Sequence, residues 1–95
     1  MKPETIQGIR RVLNEVSSGL LIGHHITRLN SYGPELFSAF RLLLESEPDD
    51  SQRIALCHAQ SKLLNSIKMH MVENTISHCI DPKEIDGYLD WLDKQ

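Results

Sequence analysis

Glycine and proline are both missing from residues 49–81 of this 95-residue chain, and Pro48 and Pro82 stand at either end of that stretch. A third of the molecule thus lacks the two residues that break helices. Aromatic residues are scarce, with two Phe, two Tyr and one Trp, so the core must be built mainly from Leu and Ile. The two cysteines are too few for the disulfide framework of a small secreted domain. If residues 49–81 form one straight helix, Cys57 and Cys79 lie about 33 Å apart, well beyond the span of about 7 Å that a disulfide bridges. A long apolar run is also missing. Leu20-Leu21-Ile22 and Leu42-Leu43-Leu44 are the longest strongly apolar runs, far short of a membrane span. Met1-Lys2-Pro3-Glu4 begins no apolar segment of a signal peptide. These absences lead to the expectation of a cytoplasmic protein with no membrane partner.

Basic excess is absent as well. The formal net charge is −3, and all of it sits at the end of the chain, where Asp81, Glu84, Asp86, Asp90 and Asp93 outweigh Lys83 and Lys94. Residues 1–80 are balanced. A chain of this kind attracts nucleic acid over no wide surface. Arg10 and Arg11, with Arg28, His24 and His25, make the one local basic strip, and a dimer that pooled Arg10, Arg11 and Arg28 could touch phosphates.

Motifs that carry chemistry are missing too. The five scattered glycines build no phosphate loop, dinucleotide fingerprint or nucleophile elbow. No Cys-x-x-Cys or His-x-x-x-His places two metal ligands on one helix face. His24-His25, Cys57-His58 and His78-Cys79 are adjacent pairs, and neighbours on a helix point about 100° apart. Cys57 falls on an apolar face, where a buried thiol is inert. Cys79 falls near a helix C-terminus, where the dipole disfavours a thiolate. No cofactor, metal or catalytic residue is expected, and the chain reads as a non-enzyme.

What is present is helical punctuation. Pro3 and Glu4 open a first helix, along which Ile6, Ile9, Leu13, Val16 and Leu20 recur as a heptad-like seam, widened by Val12. Gly8 and Gly19 each weaken it by roughly 1 kcal/mol relative to Ala. Residues 17–33 allow two readings: an end at Ser17-Ser18-Gly19, or a kinked continuation through Ile22, Ile26 and Leu29. Asn30-Ser31-Tyr32-Gly33 is a turn cluster. Pro34-Glu35 opens a helix whose Leu36, Phe37, Phe40, Leu43 and Leu44 form a broad core-facing stripe. Ser46 to Asp50 is a loop whose aspartates suit the next N-terminus. Asp81-Pro82-Lys83-Glu84 combines an Asp cap, Pro at N1 and Glu at N3, ahead of an apolar face of Ile85, Tyr88, Leu89 and Leu92 with Trp91 on its shoulder.

The expected fold is an all-α, single-domain bundle (residues 1–95) of about four helices, with one long helix over roughly residues 49–80 and residues 82–95 as a C-terminal docking helix. On a helical wheel the long segment divides. Leu56, Cys57, Leu63, Leu64, Ile67 and Met71 share one face, while Met69, Val72, Ile76 and Ile80 fall on nearly the opposite one. Such a helix is surrounded by its own bundle, serves a second body with its C-terminal half, or breaks near residues 70–75. The tail interleaves Tyr88, Trp91 and Leu92 with acids, as an interface helix does; the plainer reading is that Tyr88 and Trp91 pin the tail to the bundle. The expected function is a small non-catalytic regulator, adaptor or inhibitor. It would bind a protein partner, a second copy of itself, or both, through Met69, Val72, Ile76, Ile80, Tyr88, Trp91 and Leu92. The alternative is a dimeric DNA-associated regulator using Arg10, Arg11 and Arg28.

Overall fold

A computed structural model describes residues 2–19, 23–73 and 80–95, with the side chains of all of these except residues 23, 24 and 70–73. The described residues form five helices and no strand: α1 (Pro3–Ser17), α2 (Gly23–Asn30), α3 (Glu35–Glu45), α4 (Asp50–Glu73) and α5 (Pro82–Asp93). The all-α class expected from the sequence is thus observed.

The helix boundaries follow from local chemistry. α1 starts with Pro at its first turn, where the missing N–H removes no intrahelical bond. It ends where Gly19 adopts φ +88°, a left-handed conformation that glycine accepts without Cβ strain. Of the two readings of residues 17–33, the helix end at Ser17-Ser18-Gly19 is the one observed. The short α2 that follows buries His25 and Leu29. Gly33, at φ +63°, turns the chain into α3. Asp49 caps α4: its Oδ1 accepts from the amides of Ser51 at 2.8 Å and Gln52 at 3.2 Å. Asp81 caps α5 in the same way, accepting from Lys83 N–H at 2.9 Å, with Pro82 next to it.

α4 is the longest helix, 24 residues or about 36 Å, and it packs against all four of the others. Its inward stripe of Leu56, Ala59, Gln60, Leu63, Leu64 and Ile67 follows a helical repeat and meets Ile9, Val12, Leu13 and Val16 of α1 and Leu36, Ala39, Phe40, Leu43 and Leu44 of α3 in one continuous core. α5 adds Ile85, Tyr88 and Leu92 to that core. The described part of α4 ends at Glu73, and Ile80 stands in a bend before the α5 cap rather than in the helix. The face reversal expected around residues 70–75 falls on side chains outside the described residues, as do Cys79, Val72 and Ile76. At its two described ends the reversed face does different things: Met69 is 64% exposed, and Ile80 is buried.

Two contacts between a basic side chain and a carboxylate link helices. Buried His25 of α2 sets its Nε2 against the carboxylate of Glu15 in α1. Lys68 of α4 pairs with Asp86 of α5 at 2.5 Å, an exposed pair of the kind that adds less than about 1 kcal/mol. At Gly8 an added Cβ would meet the Tyr32 hydroxyl at 3.2 Å, so glycine lets the turn before α3 lie close to α1.

Complete burial stabilises a large apolar side chain by roughly 1.5–3 kcal/mol, so Ile85, Tyr88 and Leu92 together contribute on the order of 5–9 kcal/mol. That is comparable with the whole stability of a small domain, about 5–15 kcal/mol. Deleting residues 82–95 is therefore expected to abolish cooperative thermal unfolding in circular dichroism. A truncated chain that kept its helicity and a sharp melting transition would contradict this packing.

Candidate functional site

Among the described side chains, the inward face of α4 contains one polar residue, Gln60, and it is fully buried. Its Nε2 donates to the Phe40 carbonyl of α3 at 3.1 Å, and its Oε1 accepts from the Tyr88 hydroxyl of α5 at 2.8 Å. One amide thereby joins three helices at a single point. Burial raises the Tyr88 phenol far above its usual range, with Arg41 acting weakly against it, so the ring stays neutral and its O–H remains a donor. Phe37 and Phe40 pack on the Tyr88 ring with centroids 5.5 and 6.0 Å away, and Trp91 packs on it at 5.3 Å. Four of the five aromatic residues are thus gathered at the α3–α5 contact, and pairs of this kind contribute about 0.5–1.5 kcal/mol beyond the area they bury. The Arg41 guanidinium lies 4.7 Å from the Trp91 ring, a cation–π contact.

Held this way, Trp91 is half-buried and forms one wall of a groove of about 570 Å³. The groove lies where the C-terminal ends of α3 and α5 meet the N-terminal half of α4. Leu44, Cys57 and Leu92 provide apolar lining, and Ile54 stands on the α4 side with 59% of its surface exposed. The α4 residues concerned are Asp50, Arg53, Ile54, Cys57, His58 and Ser61. They form a second helical stripe beside the core-facing one, repeating every three or four residues over about 16 Å. Glu45, Asp50 and Asp93 supply exposed carboxylates; Arg53 and His58 are the basic groups of the lining. Burial pushes the Cys57 thiol up, and nearby Arg53 opposes this only in part. That is the opposite direction from the one a nucleophilic thiolate needs.

The residues singled out in the sequence are placed as follows. Tyr88, Leu92 and Ile80 are buried in the chain's own core, and of these Leu92 also contributes to the groove lining. Trp91 is the tail aromatic that lines the groove, and Met69 is exposed on α4 outside the groove lining. Val72 and Ile76 lie outside the described residues. Arg10 and Arg11 are exposed on α1 but, as neighbours on a helix, project about 100° apart. Arg28 is exposed on α2. Among the described residues no cluster of three His, Cys, Asp or Glu could hold a metal ion, and no helix is long and apolar enough to cross a membrane. Sequence reasoning missed Ile54 and Gln60. Gln60 carried a signal: it is a polar residue in register with Leu56, Leu63, Leu64 and Ile67. Ile54 carried little, because its stripe mixes apolar and charged residues.

Fold and groove together define a small all-α bundle with a helix-walled, apolar-floored cleft at one end. Comparison of the chain with protein-family models, curated proteins and solved structures found no match, so function is read from the geometry alone.

The Cys57 environment predicts slow thiol chemistry. In a Cys79→Ser background, alkylation by iodoacetamide at neutral pH should be slower in the folded chain than in urea. It should keep accelerating as pH rises past the ordinary thiol value, because the raised pKa delays formation of the reactive thiolate. A folded-chain rate equal to or above that of the unfolded chain would contradict the described burial.

Proposed function

We propose that the protein is a small, non-catalytic, cytoplasmic regulator, adaptor or inhibitor that acts by binding another protein in the α3/α4/α5 groove. The observation that carries this reading is Ile54, a large aliphatic side chain more than half exposed at the edge of an apolar cleft that faces the half-buried Trp91. A single exposed aliphatic residue needs no explanation. One placed beside an aromatic wall and an apolar floor has the anatomy of an interface core, with Trp as the residue type most enriched among binding hot spots. The groove runs along about three turns of α4, the length over which an amphipathic helix presents anchors at i, i+4 and i+7. The raised thiol pKa of Cys57 argues against covalent chemistry in the cleft.

This reading moves the interaction surface from the seven residues expected in the sequence to Ile54, Cys57 and Trp91. The DNA-associated alternative draws less support, since Arg10 and Arg11 diverge and the groove is lined by carboxylates. A homodimer with the groove as its contact is the second reading, and sedimentation of wild type against Ile54→Ser separates the two.

The test is partner capture by wild type against Ile54→Ser. Because Ile54 is largely exposed, its replacement should cost little stability, which circular dichroism checks. Wild type should retain a stoichiometric partner, or itself, that Ile54→Ser retains at least about tenfold less well. Undiminished retention by a folded Ile54→Ser variant would rule out the groove as the binding surface.

A further inference from the structure

We infer that the occupant of the groove, on the reading that the groove is a docking site, is a cationic amphipathic helix of another protein. Two independent features set this charge. The first is the lining: Glu45 on α3, Asp50 on α4 and Asp93 on α5 put one exposed carboxylate on each of the three helices around the cleft, against Arg53 as the permanent cation. The second is backbone polarity. α3 and α5 both direct their C-terminal ends at the groove, and neither carries a basic residue in its last turn. A helix C-terminus holds roughly half a negative charge, which a cation stabilises; Lys94 stands at the cap of α5, whereas α3 has no basic residue in its last turn or at its Ser46 cap. The opposing N-terminus of α4 is already capped by the Asp49 carboxylate, which offsets its positive end.

An occupant that buries apolar side chains against Leu44, Ile54 and Trp91 brings its flanks beside these carboxylates and carbonyl ends. Lysine or arginine there is attracted; glutamate or aspartate is repelled. Phosphate-bearing partners and anionic lipid surfaces are disfavoured at this site for the same reason. The helical form follows from the shape. The groove wall is a straight stripe on α4 with a rise of about 1.5 Å per residue, and a third helix laid against α4 and α5 matches that repeat turn for turn. An extended strand would find no sheet edge among the described residues.

The test titrates the intact chain with two synthetic peptides. Each carries leucine at i, i+4, i+7 and i+11, and they differ only in having lysine or glutamate on the polar face. Trp91, the single tryptophan of the chain, reports occupancy by fluorescence. The lysine peptide is expected to bind saturably and at least about tenfold more tightly than the glutamate peptide at low ionic strength, with the gap narrowing at about 0.5 M salt. The combined Glu45→Gln, Asp50→Asn and Asp93→Asn variant, shown to be folded by circular dichroism, should bring the two affinities together. If both peptides bind equally and Ile54→Ser abolishes both, the cationic occupant is overturned and the docking groove survives. If neither peptide saturates, or if Ile54→Ser changes nothing, both fall. A chain that sediments as a dimer, and as a monomer after Ile54→Ser, holds a second copy in its groove and also overturns the cationic partner.

Discussion

The Gln60 side chain, with one hydrogen bond to α3 and one to α5, is the contact on which the arrangement of the α4 end of the bundle depends. A primary amide offers two donors and an acceptor oxygen, and burying it unpaired is costly. Here the Phe40 carbonyl accepts from one of the donors and the Tyr88 hydroxyl donates to the oxygen. Apolar contacts alone tolerate a helix that slides or rotates by a few degrees. Two hydrogen bonds from one rigid amide do not, because their geometry weakens steeply outside a narrow range. This pair of buried hydrogen bonds therefore favours the one packing of α5 that keeps both.

The position of Trp91 follows from that choice. Tyr88 and Trp91 are three residues apart on α5, so seating Tyr88 on Gln60 turns Trp91 toward the edge of α4. There it packs on the Tyr88 ring, receives Arg41 on its face and leaves a cleft between itself and Ile54. The same helix thus does two jobs that looked like rivals in the sequence. Its buried face completes the core, and its shoulder forms one wall of a groove. The first keeps Tyr88 and Leu92 inside; the second sets Trp91 at the edge of the groove.

Most of the local structure was legible in the residues. Asp49 and Asp81 act as the helix caps that their positions imply, Pro3 and Pro82 open helices, and the stripes of α1, α3 and α5 bury nearly the residues their spacing selects. α2 was not settled in advance, because Gly19 fits both a kink and a stop, and the choice rests on its φ of +88°. The Glu15–His25 contact joins residues ten apart on different helices, which no helical spacing encodes. The long helix was legible in its freedom from Gly and Pro and is observed as far as Glu73, while Ile80, at the end of the expected span, stands in a bend. The groove was illegible for a different reason. It joins the α3–α4 corner to the end of α5, which is distant from both in sequence, and its α4 stripe alternates Ile54 and Cys57 with Asp50, Arg53 and His58, so it produces no apolar periodicity. α4 consequently shows little net amphipathicity while the other four helices are clearly two-sided.

The central claim is that Gln60 and Tyr88 act as one unit in seating α5, and a double-mutant cycle measures this directly. Urea unfolding of Gln60→Leu, Tyr88→Phe and the combined variant would be followed by Trp91 fluorescence and circular dichroism. Each single change leaves a buried polar atom without its partner and should cost about 1–3 kcal/mol. The combined variant should cost less than the two together, with a coupling of about 1 kcal/mol or more. Strictly additive losses, with no coupling between the two positions, would contradict the account.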